Sequence, residues 1–479
     1  MISSEEMAVV DANAEALGVP RKQLMESSGN AVARVVREHA DPGDSVALVC
    51  GRGNNGGDAF VTARFLTEFD VTVSLLGRPE TIRTDIAREN WDALQEAEID
   101  AQTVTDSADI DLNEPDVVVD AMLGTGVTGA LREPEATAAE AINESDATVV
   151  AVDVPSGVDA DTGEAAGTAV DADHVVTFHD EKPGLADLDA GVTVADIGIP
   201  DAAELFVERG DLQRLSRDPK GHKGDFGSVL VVGGGPYTGA PALSAQAALR
   251  AGADLAYVAC PETVAHEVQG FSENLIVESL PGDHLAPPHV ADLLQLAEDA
   301  DADCVVFGPG LGNQDVTLEA VADFLEEFSG TVVVDADALQ VVPSVETDAT
   351  LVCTPHQGEL RKMGGETADD WRERADLVAD FADDLGHTLL VKGAYDVISD
   401  GETTRVNRTG NPGMTVGGTG DVLAGATGAL ACVLDSDDAA ALAAYANGRA
   451  GDIVVDEQGY GLTATDLFEA LPRALWPDE

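Results

Sequence analysis

The chain is poor in cysteine, poor in lysine and free of long apolar runs, and each shortage excludes something. Five cysteines, at positions 50, 260, 304, 353 and 432, stand far apart and form no Cys-x-x-Cys pair. A zinc ribbon or a disulfide framework is thereby excluded, and the five read as reduced, buried small hydrophobes. No stretch approaches the roughly 20 apolar residues of a membrane span. The segment Met1 to Ala12 is acidic and lacks both the basic start and the apolar centre of a secretion signal, so a cytoplasmic location is expected. Lysine occurs only at positions 22, 182, 220, 223, 362 and 392, and three of these fall inside motifs described below.

The 26 basic residues face 89 acidic ones, a formal charge of −63. Such a surface repels nucleic acid and anionic membranes, so neither is expected as a partner. It also opposes compaction unless salt screens it, and at molar ionic strength the Debye length falls to about 3 Å. Because the acids are interspersed among apolar runs along the whole chain, they read as the solvated surface of a halophilic protein rather than as a disordered tail.

What is present is an alternation of short Val-rich runs with longer helical patterns, the signature of βαβ units and parallel sheets. At 479 residues two or three domains are expected. The pattern runs twice, with strands expected at Ser45–Cys50, Val71–Leu76, Asp116–Met122, Thr148–Asp153, His174–Phe178 and Val192–Ile197. A second set follows at Ser228–Val232, Leu255–Ala259, Asn274–Ser279, Cys304–Phe307, Thr331–Asp335, Leu351–Thr354 and Thr388–Ser399. The charged stretch 201–226 separates them, which puts a domain boundary after Arg217 and gives domains 1–217 and 218–479. The halves share no motif at equivalent places, so they are two different α/β domains.

In the first half, the strand Ser45–Cys50 runs into Gly-Arg-Gly-Asn-Asn-Gly-Gly-Asp, residues 51–58, and an amphipathic helix is expected over Ala59–Glu68. Glycines let backbone approach a ligand, and the amides and dipole of a helix start attract phosphate, although a tight turn alone also uses glycine. Two further loops fall where an open parallel sheet holds its ligand, at strand carboxyl ends: Asp120-Ala-Met-Leu-Gly-Thr-Gly126 and Asp153-Val-Pro-Ser-Gly157. With Leu24-Met-Glu-Ser-Ser-Gly29 and Thr177-Phe-His-Asp-Glu-Lys-Pro-Gly-Leu185, these segments resemble the epimerase domain of the NAD(P)H-hydrate repair family, which is Rossmann-like. The resemblance implies that Asn54, Asn55, Gly56, Gly57, Asp58 and the run Gly124, Thr125, Gly126, Val127, Thr128, Gly129, Ala130 hold the hydrated dinucleotide. It implies that Asp153 contacts the altered ring, and that Asn55, Asp120 and Ser156 bind a potassium ion. An oxygen-only donor set suits a hard cation, and a carboxylate beside the ring can move a proton at the epimerising carbon. Ala59 stands where the family commonly has glycine.

The second half carries His222-Lys-Gly, Tyr237-Thr-Gly-Ala-Pro, Gly308-Pro-Gly-Leu-Gly, Asp335-Ala-Asp, Thr354-Pro-His-Gln-Gly-Glu, Val391-Lys-Gly-Ala-Tyr-Asp, Asn411-Pro-Gly-Met and Gly417-Gly-Thr-Gly-Asp421. Gly-Thr-Gly before an apolar helix aims free amides at one point, where a transferring phosphoryl group is stabilised, and Asp421 at the helix start can take a proton from an attacking hydroxyl. These motifs resemble the ribokinase-like superfamily and, within it, the ADP-dependent NAD(P)H-hydrate dehydratase. By resemblance Ala240, Gly310, His356 and Asp421 contact the hydrate, while Lys392, Gly393, Ala394, Tyr395, Asp396 and Gly420 contact ADP, which enters with magnesium as co-substrate. A lone histidine such as His356 is more often a structural hydrogen-bonder, but its position at a strand end favours a pocket role. Thr415-Val416 follows Asn-Pro-Gly-Met where the family often has Ala-Thr.

Together the resemblances imply two three-layer αβα domains: an epimerase acting on hydrated NADH and NADPH, and a dehydratase acting on one epimer and giving AMP and phosphate. A homo-oligomer is expected. The rival readings are a vitamin-precursor kinase of the same superfamily, which leaves the first half unexplained, and a non-catalytic nucleotide-binding or scaffolding protein, which leaves Asp421, Lys392 and the strand-end loops unexplained.

Overall fold

The computed structural model describes residues 1–126 and 129–477, and the chain divides into two compact units between Ala203 and Glu204. The division falls before the expected boundary at Arg217. The intervening segment has attachments of its own to the second unit: Phe206 bridges to Val406, Arg405 donates to Asp211 at 2.8 Å, and Arg214 pairs with Asp438 at 3.1 Å. Charge suggested a boundary further along, but side-chain pairs fix this stretch to the second unit.

The first unit is a seven-stranded sheet, parallel throughout. Its strands are β1 (Ser45–Cys50), β2 (Asp70–Leu76), β3 (Ala101–Val104), β4 (Val117–Ala121), β5 (Thr148–Val152), β6 (His174–Phe178) and β7 (Gly191–Ala195), in the order β3-β2-β1-β4-β5-β6-β7. Val118, Val119, Val150, Ala151 and Val175 are fully buried. Strands covered on both faces have no polar side to alternate with, which is why they read as continuous Val-rich runs. The winding direction reverses between β1 and β4, and a crevice at the carboxyl ends of those strands follows. The helix α2 (Asn54–Phe65), preceded in the chain by the N-terminal α1 (Ser4–Ala16), starts at Asn54 rather than at Ala59, so the Asn-Asn-Gly-Gly-Asp run is its first turn. A Cβ on Gly56 would lie 2.1 Å from the Gly51 carbonyl oxygen, so only glycine lets the helix begin that close to the strand end.

The second unit holds nine strands: β8 (Ser228–Val232), β9 (Leu255–Pro261), β10 (Ile276–Leu280), β11 (Cys304–Phe307), β12 (Thr331–Val334), β13 (Thr350–Cys353), β14 (Thr388–Val391), β15 (Asp396–Ser399) and β16 (Thr404–Asn407). Their order is β10-β9-β8-β11-β12-β13-β14-β15-β16, parallel up to β14 and antiparallel beyond it. The run expected as one strand over Thr388–Ser399 is two, because Lys392 to Tyr395 turn the chain between β14 and β15. Helices α3 (Gly239–Ala251), α4 (Gln357–Met363), α5 (Thr419–Leu430), α6 (Ser436–Gln458) and α7 (Leu467–Leu475) matter most for the site. α3 and α5 are built of alanine, glycine and serine because their backbones nearly touch: a Cβ on Gly425 would lie 2.0 Å from the Ser244 carbonyl oxygen. Ser244 Oγ donates to the Asp421 carbonyl at 2.8 Å, so this close packing also fixes the start of α5. Among the described residues no helix is long and apolar enough to cross a membrane.

Candidate active sites

In the first unit the loops after β1, β4, β5 and β6 meet at the crevice. Asp120, fully buried at the end of β4, accepts hydrogen bonds from Ser156 N and Ser156 Oγ, both at 2.7 Å, and from Met122 N at 3.2 Å. Burial raises its pKa to about 6 even though these donors oppose the rise. Ser156 Oγ also lies 3.3 Å from the Leu123 carbonyl, and a Cβ on Gly124 would sit 3.4 Å from Asn55 Oδ1. The three expected cation ligands therefore converge on the loop 123–124. Asn55 Nδ2 is buried without a partner, a donor free for a ligand.

Asp153 holds a left-handed backbone, φ 68°, a conformation that costs a non-glycine residue about 1–3 kcal/mol and tends to occur where geometry serves a site. Its Oδ1 accepts from Thr177 Oγ1 at 3.2 Å and pairs with Lys182 Nζ at 3.2 Å. Lys182 is fully buried, and its ammonium also donates to the carbonyls of Phe178 and Asp180, at 2.8 and 3.2 Å. Facing this pair are two carboxyls. Asp58, buried and beside Asp153 and Asp11, is held well above the usual carboxylate range, chiefly by burial. Asp11 on α1 is raised to about 6 by burial and, further, by Asp153, against Arg21, Lys182 and His179.

Of the other expected ligand contacts, Asn54 and Gly57 lie in the first turn of α2, where a Cβ on Gly57 would meet the Met25 side chain at 2.8 Å. Gly124 and Thr125 are half-buried, and Gly126, Gly129 and Ala130 are exposed. Val127 and Thr128 lie outside the described residues. Asp11 and Lys182 escaped the list of expected site residues. The signal for Lys182 was a lysine retained in a chain that has six; Asp11 sits in a helix that carries no motif.

In the second unit three strand ends and α5 surround one ion pair. Lys392, at the end of β14, places Nζ 2.9 Å from Asp335 Oδ1, which also accepts from Thr354 Oγ1 at 2.7 Å. Burial pulls the ammonium pKa down, but Asp335, Glu359 and Asp421 outweigh it and hold the pKa above its ordinary value. A Cβ on Gly420 would sit 3.4 Å from this Nζ, so the lysine lies against the start of α5. Asp421, in the first turn of α5, is raised to about 7 by burial and by Asp335, with Lys392 opposing. Beside it, Asn447 Nδ2 reaches the Thr419 carbonyl at 3.5 Å, and its Oδ1 is buried without a partner.

Ala240 and Gly310 are in contact: a Cβ on Gly310 would lie 3.2 Å from Ala240 Cβ and 2.6 Å from the Tyr237 carbonyl, and Gly310 has φ 76°. His356 bridges in parallel register to Lys392. Its Nδ1 accepts from the amides of Gly358 and Glu359, at 2.8 and 3.2 Å, capping α4, so the proton is on Nε2. The histidine is thus a structural cap whose exposed Nε2 edge lies 3.5 Å from Glu359 Oε1. Asp396 faces inward, accepting from Gly393 N and Asn407 Nδ2, each at 2.9 Å, and its burial raises it to about 6. Tyr395 stacks on Trp371 at 5.4 Å, and its carbonyl accepts from Arg374 at 2.9 Å. The loop Lys392, Gly393, Ala394, Tyr395 and Asp396 is therefore pinned from two sides. Asp335, Thr354 and Asn447 were not among the expected ligand contacts; the Asp335 and Thr354 motifs were visible, but only folding shows that they meet at Lys392.

Two open sheets, each with charged groups gathered at strand carboxyl ends, one of them against a glycine-rich helix start, define a two-domain α/β protein built to hold nucleotides. Residues 229–473 match the NAD(P)H-hydrate dehydratase family, and residues 21–184 match the YjeF-related protein N-terminus family. A bifunctional NAD(P)H-hydrate repair enzyme of Methanothermobacter thermautotrophicus is 44% identical over 495 aligned residues, which cover 98% of this chain and 95% of the relative. One from Pyrobaculum aerophilum is 45% identical over 493, covering 99% and 98%. A crystal structure of an ADP/ATP-dependent NAD(P)H-hydrate dehydratase from Bacillus subtilis is 26% identical over 56% of this chain and 96% of its own, with a TM-score of 0.48. The chain belongs to the bifunctional NAD(P)H-hydrate repair enzyme family.

Proposed function

We propose that the chain repairs hydrated NADH and NADPH in two steps, with the units Met1–Ala203 and Glu204–Glu479 in the roles of epimerase and ADP-dependent dehydratase. The observation that carries the reading is the placement of Asp421 beside the Lys392–Asp335 ion pair at the amino end of α5. It puts a carboxyl raised to about 7 beside a lysine and free amides. A base with a pKa near the working pH suits removal of a proton from the substrate hydroxyl as that oxygen attacks phosphorus. The O–P bond forms, the bond to the AMP oxygen breaks, and AMP leaves with its charge neutralised by Lys392 and the helix start. The C–O bond of the new phosphate ester then breaks, phosphate leaves with its electrons, a proton departs from the adjacent ring carbon, and the reduced nicotinamide is restored. Magnesium bound with ADP would neutralise phosphate charge. The unpartnered Asn447 Oδ1 offers an acceptor for a ligand donor beside Thr419.

In the first domain Asp153, paired to Lys182, is the base, and Asp58, kept protonated by burial, is the acid. The protonated Asp58 can protonate the departing hydroxyl, and the lysine-paired Asp153 can receive the proton of the water that returns on the opposite face. The oxygens of Asn55, Asp120 and Ser156 fit a potassium ion, which would neutralise the buried Asp120 and steady phosphate groups near the free Asn55 amide. The substrates are small molecules in the cytoplasm, and a homo-oligomer is part of this reading. Purified protein in molar KCl with magnesium, given both hydrate epimers and ADP or ATP, should restore reduced-nicotinamide absorbance completely. Recovery of only one epimer's share, with the rest lost at the spontaneous rate, refutes the epimerase half; no nucleotide-dependent recovery refutes the other.

A further inference from the structure

A second concave site lies in the dehydratase unit, away from the chemistry just described. It is an open groove of about 890 Å³ between the carboxyl end of α3, the faces of α6 and α7, and the segment before β8. Arg217, Arg250, Arg449 and Arg473 line it together with Ile453 and Trp476, and no acidic residue is among its described lining residues. In a chain with 89 acids and 26 bases, four arginines around one cavity are far from the prevailing composition. Arg473 pairs with Glu457 at 2.8 Å, whereas Arg250 and Arg449 make no ion pair among the described residues. Arg217 donates to the Gly252 carbonyl and lies over two rings, 4.3 Å from the centre of Phe226 and 5.5 Å from that of Trp476, so it is held in place rather than free in solvent. Trp476 stays 40% exposed at the edge of the cavity.

The location is separate from the anion hole. α3 begins at the carboxyl edge of the sheet, where Ala240 and Gly310 meet, and ends at Ala251, just before β9 starts at Leu255. Asp421 meets this helix at Ser244, and the six residues from there to Arg250 rise about 9 Å, away from the anion hole, so Arg250 lies toward the amino-terminal edge of the strands. The volume falls in the range of small-molecule pockets, about 300–1,000 Å³. Unpaired guanidiniums recognise phosphate through paired N–H donors, and an exposed indole offers a stacking face.

We propose that this cavity is a second ligand site, for a nucleoside phosphate whose phosphates meet Arg250 and Arg449 and whose ring packs against Trp476. The inference goes beyond the repair reaction and stands whether or not that reading does. The probe is ADP, titrated into the full chain while tryptophan emission is followed, with Trp476→Phe as the reference. Trp371, stacked beside the Lys392 loop, and Trp91 remain in both proteins, so the difference reports the new site. ADP should quench the Trp476 share saturably. The Arg250→Gln/Arg449→Gln double variant should raise the midpoint at least tenfold while the KM for ADP in dehydration stays within about twofold. Inorganic pyrophosphate, which lacks a ring, should bind more than tenfold more weakly than ADP. The proposal is overturned by absence of a Trp476 response into the millimolar range, by an unchanged midpoint in the double variant, or by equal affinity for pyrophosphate. It is also overturned if light scattering shows the double variant falling to a smaller assembly, which would make these arginines subunit contacts.

Discussion

Replacing Asp421 by Asn should slow dehydration and stabilise the fold at the same time. As the base of phosphoryl transfer the carboxylate is worth about 10²- to 10⁴-fold in rate, or about 3–5 kcal/mol of activation free energy, none of which an amide can supply. With its pKa near 7, the parent enzyme should be about one-tenth ionised at pH 6 and about nine-tenths at pH 8, so its turnover rises across that interval. The variant's should be low and flat. Stability runs the other way. The folded pKa lies above the unfolded value of 3.8, so the fold favours the protonated carboxyl. That contribution is complete below about pH 4 and is lost as pH rises through 7. The loss is on the order of 2–4 kcal/mol, larger than the 0.3–1 kcal/mol by which a first-turn carboxylate favours the helix dipole. Asn does not titrate, so its thermal midpoint should match the parent near pH 4.5 and exceed it increasingly up to pH 8. Recovery of reduced-nicotinamide absorbance measures the first effect and calorimetric melting the second. A variant that keeps near-parent turnover, or melts lower than the parent at pH 8, would show that Asp421 is a helix cap and nothing more.

Asp153→Asn should remove the enzyme-driven phase of hydrate loss from an epimer mixture and leave dehydration of the preferred epimer intact; an unchanged slow phase ends that assignment. Lys182→Met should leave Asp153 without its buried partner and two carbonyls without a donor, costing about 3–5 kcal/mol in chemical denaturation, and a loss below about 1 kcal/mol contradicts the ion pair. Gly425→Ala should lower the thermal midpoint and cut turnover together, because a Cβ 2.0 Å from the Ser244 carbonyl must push α3 from α5 and shift Asp421; a neutral outcome on both counts refutes the coupling. Raising KCl from dilute to molar should raise the melting temperature steadily, given a charge of −63, and equal stability at both extremes removes the halophilic reading.

Much of this molecule was readable before folding because buried parallel strands and glycine-rich helix starts are local patterns. A run such as Val117–Ala121 has to be apolar throughout to lie between two layers of helices, and Gly-Thr-Gly before an apolar helix creates its anion site within a few residues. The short edge strand Ala101–Val104 and the hairpin β15–β16 were not readable: an edge strand of four residues has too few positions to show a period, and a hairpin following a buried strand reads as its continuation. Distant encounters needed the tertiary structure. Asp335, Thr354 and Lys392 are far apart in the chain, and only the order of β12, β13 and β14 sets their heads within hydrogen-bonding distance. The same holds for Asp11, brought by a helix without any motif to face Asp58 and Asp153, and for four arginines scattered from 217 to 473 that close on one cavity. Sequence alone determined the class of fold, the surface charge and the backbone amides poised for phosphate, because these depend on neighbours along the chain. Which side chains would be stripped of water together, and so which carboxyls would stay protonated and which lysines would be paired, was decided by burial, a property that exists only once the elements have packed.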